Sequence, residues 1–314
     1  MRLRGATESP SDWYSPQDGV GLNPYFLSVL LGIVEGLTEF LPVSSTAHLR
    51  IAEALMKLPL DDPYWKMYTI VIQVGAILAL CILFLERIVN FLRTFPKGEN
   101  GDRNWLTHPI SLTLIAFACT SVPALLLHKW SEKNLGSLNA IAIALLAGGI
   151  VMWAIDAWSN RVDPNTTHVE EITLAQAIWI GLCQTLSAVF PGTSRSMSTI
   201  AAGQVAGLDR PTALEFSFLL SIPTMIAATG WDLFKEVHTS KAATAAGVAT
   251  AHVVMNPERW IVLLIGTVVS FIVALGVVEW FLMWVRKHGF TVFAIYRILL
   301  GIALLIWGAK YLGS

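Results

Sequence analysis

Six predominantly apolar runs, each of about 20 residues or more, dominate the sequence: about 65–85, 109–128, 138–157, 213–234, 259–285 and 292–313. A helix needs roughly 20 apolar residues to cross the hydrocarbon of a bilayer. Inside lipid every backbone N–H and C=O must find a partner within the protein, so runs of this kind are helices. The chain is therefore expected to be an all-α integral membrane protein. Trp130, Trp153, Trp158, Trp231, Trp260, Trp284 and Trp307 lie near the ends of the runs, where an amphipathic ring favours the interface. Composition agrees, with 54% hydrophobic and 14% charged residues, against about 25% charged in soluble domains. A net charge of -1 gives no basic field for nucleic acid. Cys81, Cys119 and Cys183 sit singly in apolar runs. They read as buried hydrophobes rather than a disulfide framework or a zinc site. Residues 1–23 are polar, contain Pro10, Pro16 and Gly19, and read as a flexible extension without a signal peptide.

Two further segments, about 24–58 and 173–207, are apolar but interrupted midway. The interruptions are Pro42-Val43-Ser44-Ser45-Thr46 and Pro191-Gly192-Thr193-Ser194-Arg195-Ser196. Each half is too short to span. Irregular backbone at membrane depth is tolerated only inside protein or beside a wet cavity. Both segments are expected to be re-entrant helix hairpins. They also resemble each other: Gly32, Glu35 and Pro42 precede Gly181, Gln184 and Pro191 by 149 residues without a gap, which pairs Ser45 with Ser194. The expected architecture is one membrane domain over 24–314. It has six transmembrane helices and two re-entrant hairpins in an inverted repeat, with repeat one at about 24–128 and repeat two at about 173–314.

Lysine and arginine set the orientation. The loop 86–108 carries Arg87, Arg93, Lys97 and Arg103, and the loop 286–291 carries Arg286 and Lys287. Both are assigned to the cytoplasm. The loops 129–137 and 235–258 then face outward, although Lys129, Lys133, Lys235 and Lys241 lie there.

The broken segments hold the chemistry. Glu35 and Glu39 are four apart, so both carboxylates share one helix face. Ionised groups at this depth are costly and mark a functional cavity or an internal pair. Ser44, Ser45, Thr46 and His48 follow the first break. A serine beside a histidine base is an activated nucleophile, whereas a serine after a break can equally cap the new helix. Spacing does not choose between Ser44 and Ser45. Arg195 sits among Thr193, Ser194, Ser196 and Thr199. A guanidinium beside a helix N-terminus binds phosphate well, and Glu35 or Glu39 could also pair with it. Together these groups suit a ligand with an anionic head and a hydrocarbon tail.

The run Glu35-Gly-Leu-Thr-Glu39-Phe-Leu-Pro-Val-Ser-Ser45-Thr-Ala-His48 resembles the first signature of bacterial undecaprenyl-diphosphatases, the bacitracin-resistance protein type. Pro191-Gly-Thr-Ser-Arg195-Ser is similar to the second. Glu215-Phe-Ser-Phe-Leu-Leu-Ser-Ile-Pro223 and Tyr296-Arg297-Ile are similar to further family stretches, so the resemblance covers about 24–312. Ala47 and Met197 stand where the family usually has glycine.

The resemblance implies hydrolysis of undecaprenyl diphosphate to undecaprenyl phosphate and inorganic phosphate. That reaction recycles the carrier for peptidoglycan synthesis and confers bacitracin resistance. It implies a multi-pass protein of the bacterial inner membrane with a site open to the periplasm. Carried over by residue, Ser45 is the nucleophile, and Glu35, Glu39, His48 and Arg195 complete the catalytic set. Ser44, Thr46, Thr193, Ser194, Ser196 and Thr199 are candidates for substrate binding. The expected mechanism has His48, helped by the glutamates, deprotonating Ser45; direct attack by water is the alternative. Two carboxylates facing a diphosphate need a compensating charge: a shared proton, Arg195, or a Mg²⁺ or Ca²⁺ ion on Glu35 and Glu39. The expectation favours the ion. Inverted repeats with midplane charges also occur in secondary transporters, and a lipid flippase could use the same anionic site. The sequence leaves a homodimer open.

Overall fold

The computed structural model describes residues 23–58, 62–134, 138–245 and 255–311. The proposed N-terminal extension, apart from residue 23, lies outside these residues, as does 246–254 of the outward loop. Among the described residues the chain is helical, with one isolated parallel bridge, Thr166 to Leu208.

The first broken segment forms α1 (Pro24–Thr38) and α2 (Ser45–Leu55). Next come α3 (Pro63–Leu83), α4 (Leu85–Thr94), α5 (Pro109–Asn134) and α6 (Leu138–Ser159). The second broken segment forms α7 (Leu174–Val189) and α8 (Arg195–Val205). The chain ends in α9 (Arg210–Ala245), α10 (Pro257–His288) and α11 (Thr291–Tyr311). α3, α6, α10 and the apolar parts of α5 and α9 are each long and apolar enough to cross a membrane. α11 adds a shorter apolar run, Thr291–Trp307. This is a multi-pass membrane protein.

Helix starts follow local chemistry. α1, α3 and α10 each begin with proline behind Asn23, Asp62 or Asn256, whose side chains accept the first free N–H groups. α10 stops at Gly289, with φ 67°.

Two expectations about loops need correction. The segment 86–108 is not all loop, because α4 occupies its start. Arg87 on α4 pairs with Glu215 at 2.8 Å and with Glu170 at 2.7 Å, which ties it to α9 and to the turn at Val169–Glu171. Likewise α9 runs to Ala245, so the outward segment assigned to 235–258 begins as helix. Ala-rich sequence continues a helix beyond its apolar part, since alanine has the highest helix propensity.

The hairpins dock crosswise. α1 lies along α10, and α7 lies along α5. Both contacts are close because a Cβ on Gly32 would meet the Gly266 carbonyl, and one on Gly181 would meet the Ala116 carbonyl. Small residues let helices approach in lipid, where packing rather than water exclusion drives association. α6 pairs with α11. Asp156, fully buried near the end of α6, accepts from Gln204 and Arg210 on one oxygen. Its other oxygen accepts from the Phe290 N–H and the Thr291 hydroxyl at the start of α11.

Candidate active site

The two breaks have matching geometry. Ser44 and Ser194 both adopt left-handed backbone, with φ 76° and 71°. Their hydroxyls cap α2 and α8, accepting from the N–H groups of Ala47 at 3.4 Å and Met197 at 3.3 Å. Such a backbone costs about 1–3 kcal/mol per non-glycine residue and persists only where the surroundings hold it. This corrects the gap-free sequence pairing: Ser194 corresponds to Ser44, and Arg195 corresponds to Ser45, each opening its helix. The slip arises between proline and cap. Val43 alone fills that space in the first break, whereas Gly192, at φ 94°, and Thr193 fill it in the second.

The structure thus separates two serines that spacing left equivalent. Ser44 is the cap. Ser45, partly buried, donates its hydroxyl to Glu39 Oε2 at 2.5 Å. The other Glu39 oxygen accepts from Arg195 Nη2 at 3.3 Å. Arg195 crosses from the second hairpin, with its guanidinium 5.9 Å from the centre of the Phe40 ring. Phe40 is fully buried and meets Phe218 edge-on at 5.5 Å, which fixes the first break in the core. Arg195 Nη1 is buried without a hydrogen-bond partner among the described residues. One turn above Glu39, Glu35 is fully buried, and neither of its carboxylate oxygens has a hydrogen-bond partner there.

His48 is not brought to Ser45. Its Nδ1 lies 2.7 Å from the Ser44 carbonyl and its Nε2 lies 2.6 Å from the Tyr296 hydroxyl. A carbonyl only accepts, so Nδ1 carries the proton, and in the neutral ring Nε2 accepts from Tyr296. Both nitrogens are engaged, and the base in contact with Ser45 is Glu39. Thr46 is exposed. The Ser194 hydroxyl lies 3.2 Å from that of Ser196, which donates to the Leu41 carbonyl at 3.0 Å and joins the two breaks. Thr199 lies 2.6 Å from the Ser217 hydroxyl. The Thr193 carbonyl is held by Arg297 at 3.0 Å.

Arg297 and Tyr296 escaped the residue-by-residue reading of the site. The signal was present, because Arg297 interrupts the apolar run of α11 just as Arg195 interrupts the second hairpin.

No group of three or more His, Cys, Asp or Glu side chains that could hold a metal ion occurs among the described residues. Glu35 offers two uncommitted oxygens, whereas Glu39 already binds Ser45 and Arg195. A divalent ion here would rest on Glu35 and Glu39 and would take its remaining oxygens from a ligand.

The profile of the family described as bacitracin resistance protein BacA matches residues 28–303. A protein of Koribacter versatilis named undecaprenyl-diphosphatase is 57% identical over 290 residues, covering 92% of this chain and all of the relative. One of the same name from Caldanaerobacter subterraneus is 39% identical, covering 88% of this chain and 93% of its own length. One from Streptococcus thermophilus is 37% identical, covering 90% and 92%. With nearly its whole length matched and the two broken segments inside the match, the chain belongs to the bacitracin resistance protein BacA family.

Proposed function

We propose that this chain hydrolyses undecaprenyl diphosphate to undecaprenyl phosphate and inorganic phosphate, recycling the lipid carrier for peptidoglycan synthesis. The observation that carries this reading is the contact of Ser45, Glu39 and Arg195 across the two breaks, in a chain whose relatives bear that enzyme's name. The same reading accounts for bacitracin resistance through removal of the diphosphate form.

The chemistry follows from the contacts. Glu39 Oε2 takes the Ser45 proton as Oγ bonds to the terminal phosphorus. The bond from that phosphorus to the bridging oxygen breaks, and undecaprenyl phosphate leaves. Arg195 engages the equatorial oxygens with Nη1 while Nη2 keeps Glu39 in place. Such preorganised donors supply most of the rate in phosphoryl transfer. Water then attacks the phosphoserine, its oxygen bonds to phosphorus and its protons stay with the inorganic phosphate, the P–Oγ bond breaks, and the Ser45 oxygen takes back the proton held by Glu39. His48, held by Tyr296, fixes the Ser44 carbonyl and thereby the start of α2.

A Mg²⁺ or Ca²⁺ ion on Glu35 and Glu39 would neutralise diphosphate oxygens as substrate enters. Wild-type turnover is expected to be lost on exhaustive chelation and restored by titration, with Glu35→Gln, which leaves the base Glu39 in place, needing a higher concentration. Full wild-type activity without a divalent ion removes the ion from the scheme and leaves the shared proton or the Arg195 pair.

For topology, the reading takes α3, α5, α6, α9, α10 and α11 as six spans. It takes α1–α2 and α7–α8 as re-entrant hairpins of an inverted repeat in the inner membrane, the first opening outward. Cysteines placed in 86–108 and at 286–288, in a background without the native thiols, are expected to react only once the inner face is opened. Those in 235–258 are expected to react from outside. The reverse pattern overturns the periplasmic site. Release of phosphate from undecaprenyl diphosphate by the purified protein tests the activity itself, and its absence overturns the assignment.

A further inference from the structure

We infer that Arg297 is the positioning residue of this site, holding both breaks in the register that brings Ser45, Glu39 and Arg195 together. The inference rests on the phosphatase reading above. Arg297 lies on α11, fully buried, and no ion pair among the described residues includes it. A buried cation without an acid is costly unless its donors are met. Here Nη1 and Nη2 meet main-chain carbonyls from three segments, while Nε is buried without a hydrogen-bond partner among the described residues. Nη1 donates to Pro42 in the first break at 3.2 Å. Nη2 donates to Gly192 at 3.1 Å and Thr193 at 3.0 Å in the second break, and to Ala144 of α6 at 3.2 Å. One planar fork therefore spans both interruptions.

Each gripped stretch adjoins a strained serine. The Thr193 carbonyl belongs to the peptide that leads into Ser194, and the Pro42 carbonyl belongs to the peptide just before the one that leads into Ser44. Left-handed serines persist only where neighbouring groups over-determine them, and Arg297 supplies part of that constraint at both places. Carbonyl and N–H point in opposite directions across a trans peptide. With its carbonyl on Arg297, the Thr193–Ser194 peptide turns the Ser194 N–H away, at the start of the helix that Arg195 opens. The scaffold also makes room for the fork. A Cβ on Gly148 of α6 would collide with Arg297 Nη2 and with the end of Met197. Arg297 bonds to main chain in these contacts, whereas Arg195 bonds to Glu39, so the two arginines do different work.

The test is steady-state phosphate release from undecaprenyl diphosphate by the folded, monodisperse fraction of wild type, Arg297→Lys and Gly148→Ala. Lysine keeps the charge but has no fork to reach both breaks. Gly148→Ala keeps the arginine and displaces it. A shift of about 1 Å in a catalytic group costs roughly 100-fold, so kcat is expected to fall about 100-fold in Arg297→Lys and about tenfold in Gly148→Ala, with KM within about threefold. A merely structural residue would lower the yield of folded protein and leave kcat per folded molecule intact, and that result overturns the inference. A raised KM at preserved kcat also overturns it, by making Arg297 a substrate ligand. Should Arg297→Lys fail to fold, Gly148→Ala decides, and wild-type kcat there counts against the clamp. An inactive wild type removes the phosphatase reading and the inference with it, whereas an active wild type with unaffected variants removes the inference alone.

Discussion

Ser45→Ala is expected to lower phosphate release by more than about 10⁴-fold, the scale seen when a covalent nucleophile is removed, while the protein stays folded. The second half of that expectation comes from the break itself. The hydroxyl that caps α2 belongs to Ser44, so Ser45→Ala removes no cap. It puts the best helix former at the first helical position. The lost hydrogen bond to Glu39 Oε2 is worth about 1 kcal/mol net, and Glu39 keeps Arg195 as a partner. Ser44→Ala should show the opposite profile. It removes a cap worth about 1 kcal/mol at a residue in left-handed backbone, and leaves the nucleophile in place. Melting temperature and turnover measured on both variants separate these roles. Near-normal turnover by Ser45→Ala would discard the phosphoserine and make water the attacking group.

Arg195→Lys is expected to lose about 10²–10³-fold in kcat, the usual loss when a transition-state donor is removed. The side chain is largely buried, 12% exposed, and paired with Glu39. An ammonium can keep that pair, so the local charge balance and the fold survive. It cannot also present a second, parallel N–H to a phosphoryl oxygen as Nη1 can. The loss should therefore fall on the chemical step more than on binding. A lysine variant that keeps most of its activity would show that only the positive charge matters.

What the sequence made legible depended on range. Five of the six spans and both helix breaks were readable, because lipid imposes its signature over about 20 consecutive residues, and proline followed by serines marks where a helix must restart. The Glu39–Arg195 pair was foreseeable as one of three answers to a buried charge. Ser44 and Ser45 could not be told apart by spacing, because the decision lies in the left-handed φ of one residue. His48 looked like a base for Ser45, being three residues away. Its partner is instead Tyr296, 248 residues on, and tertiary packing of α11 makes that contact. α4 was hidden inside a charged stretch read as loop, since only one of its faces is apolar.

Ser45 and Arg195 open equivalent helices at equivalent positions. Two copies of either half would face serine with serine or arginine with arginine, giving two nucleophiles and no anion holder, or the reverse. The two breaks match in geometry, but the proposed reactivity exists once, where they meet. Any separated half, however well folded, would be chemically mute, and the lesion that silences one half cannot be covered by the other.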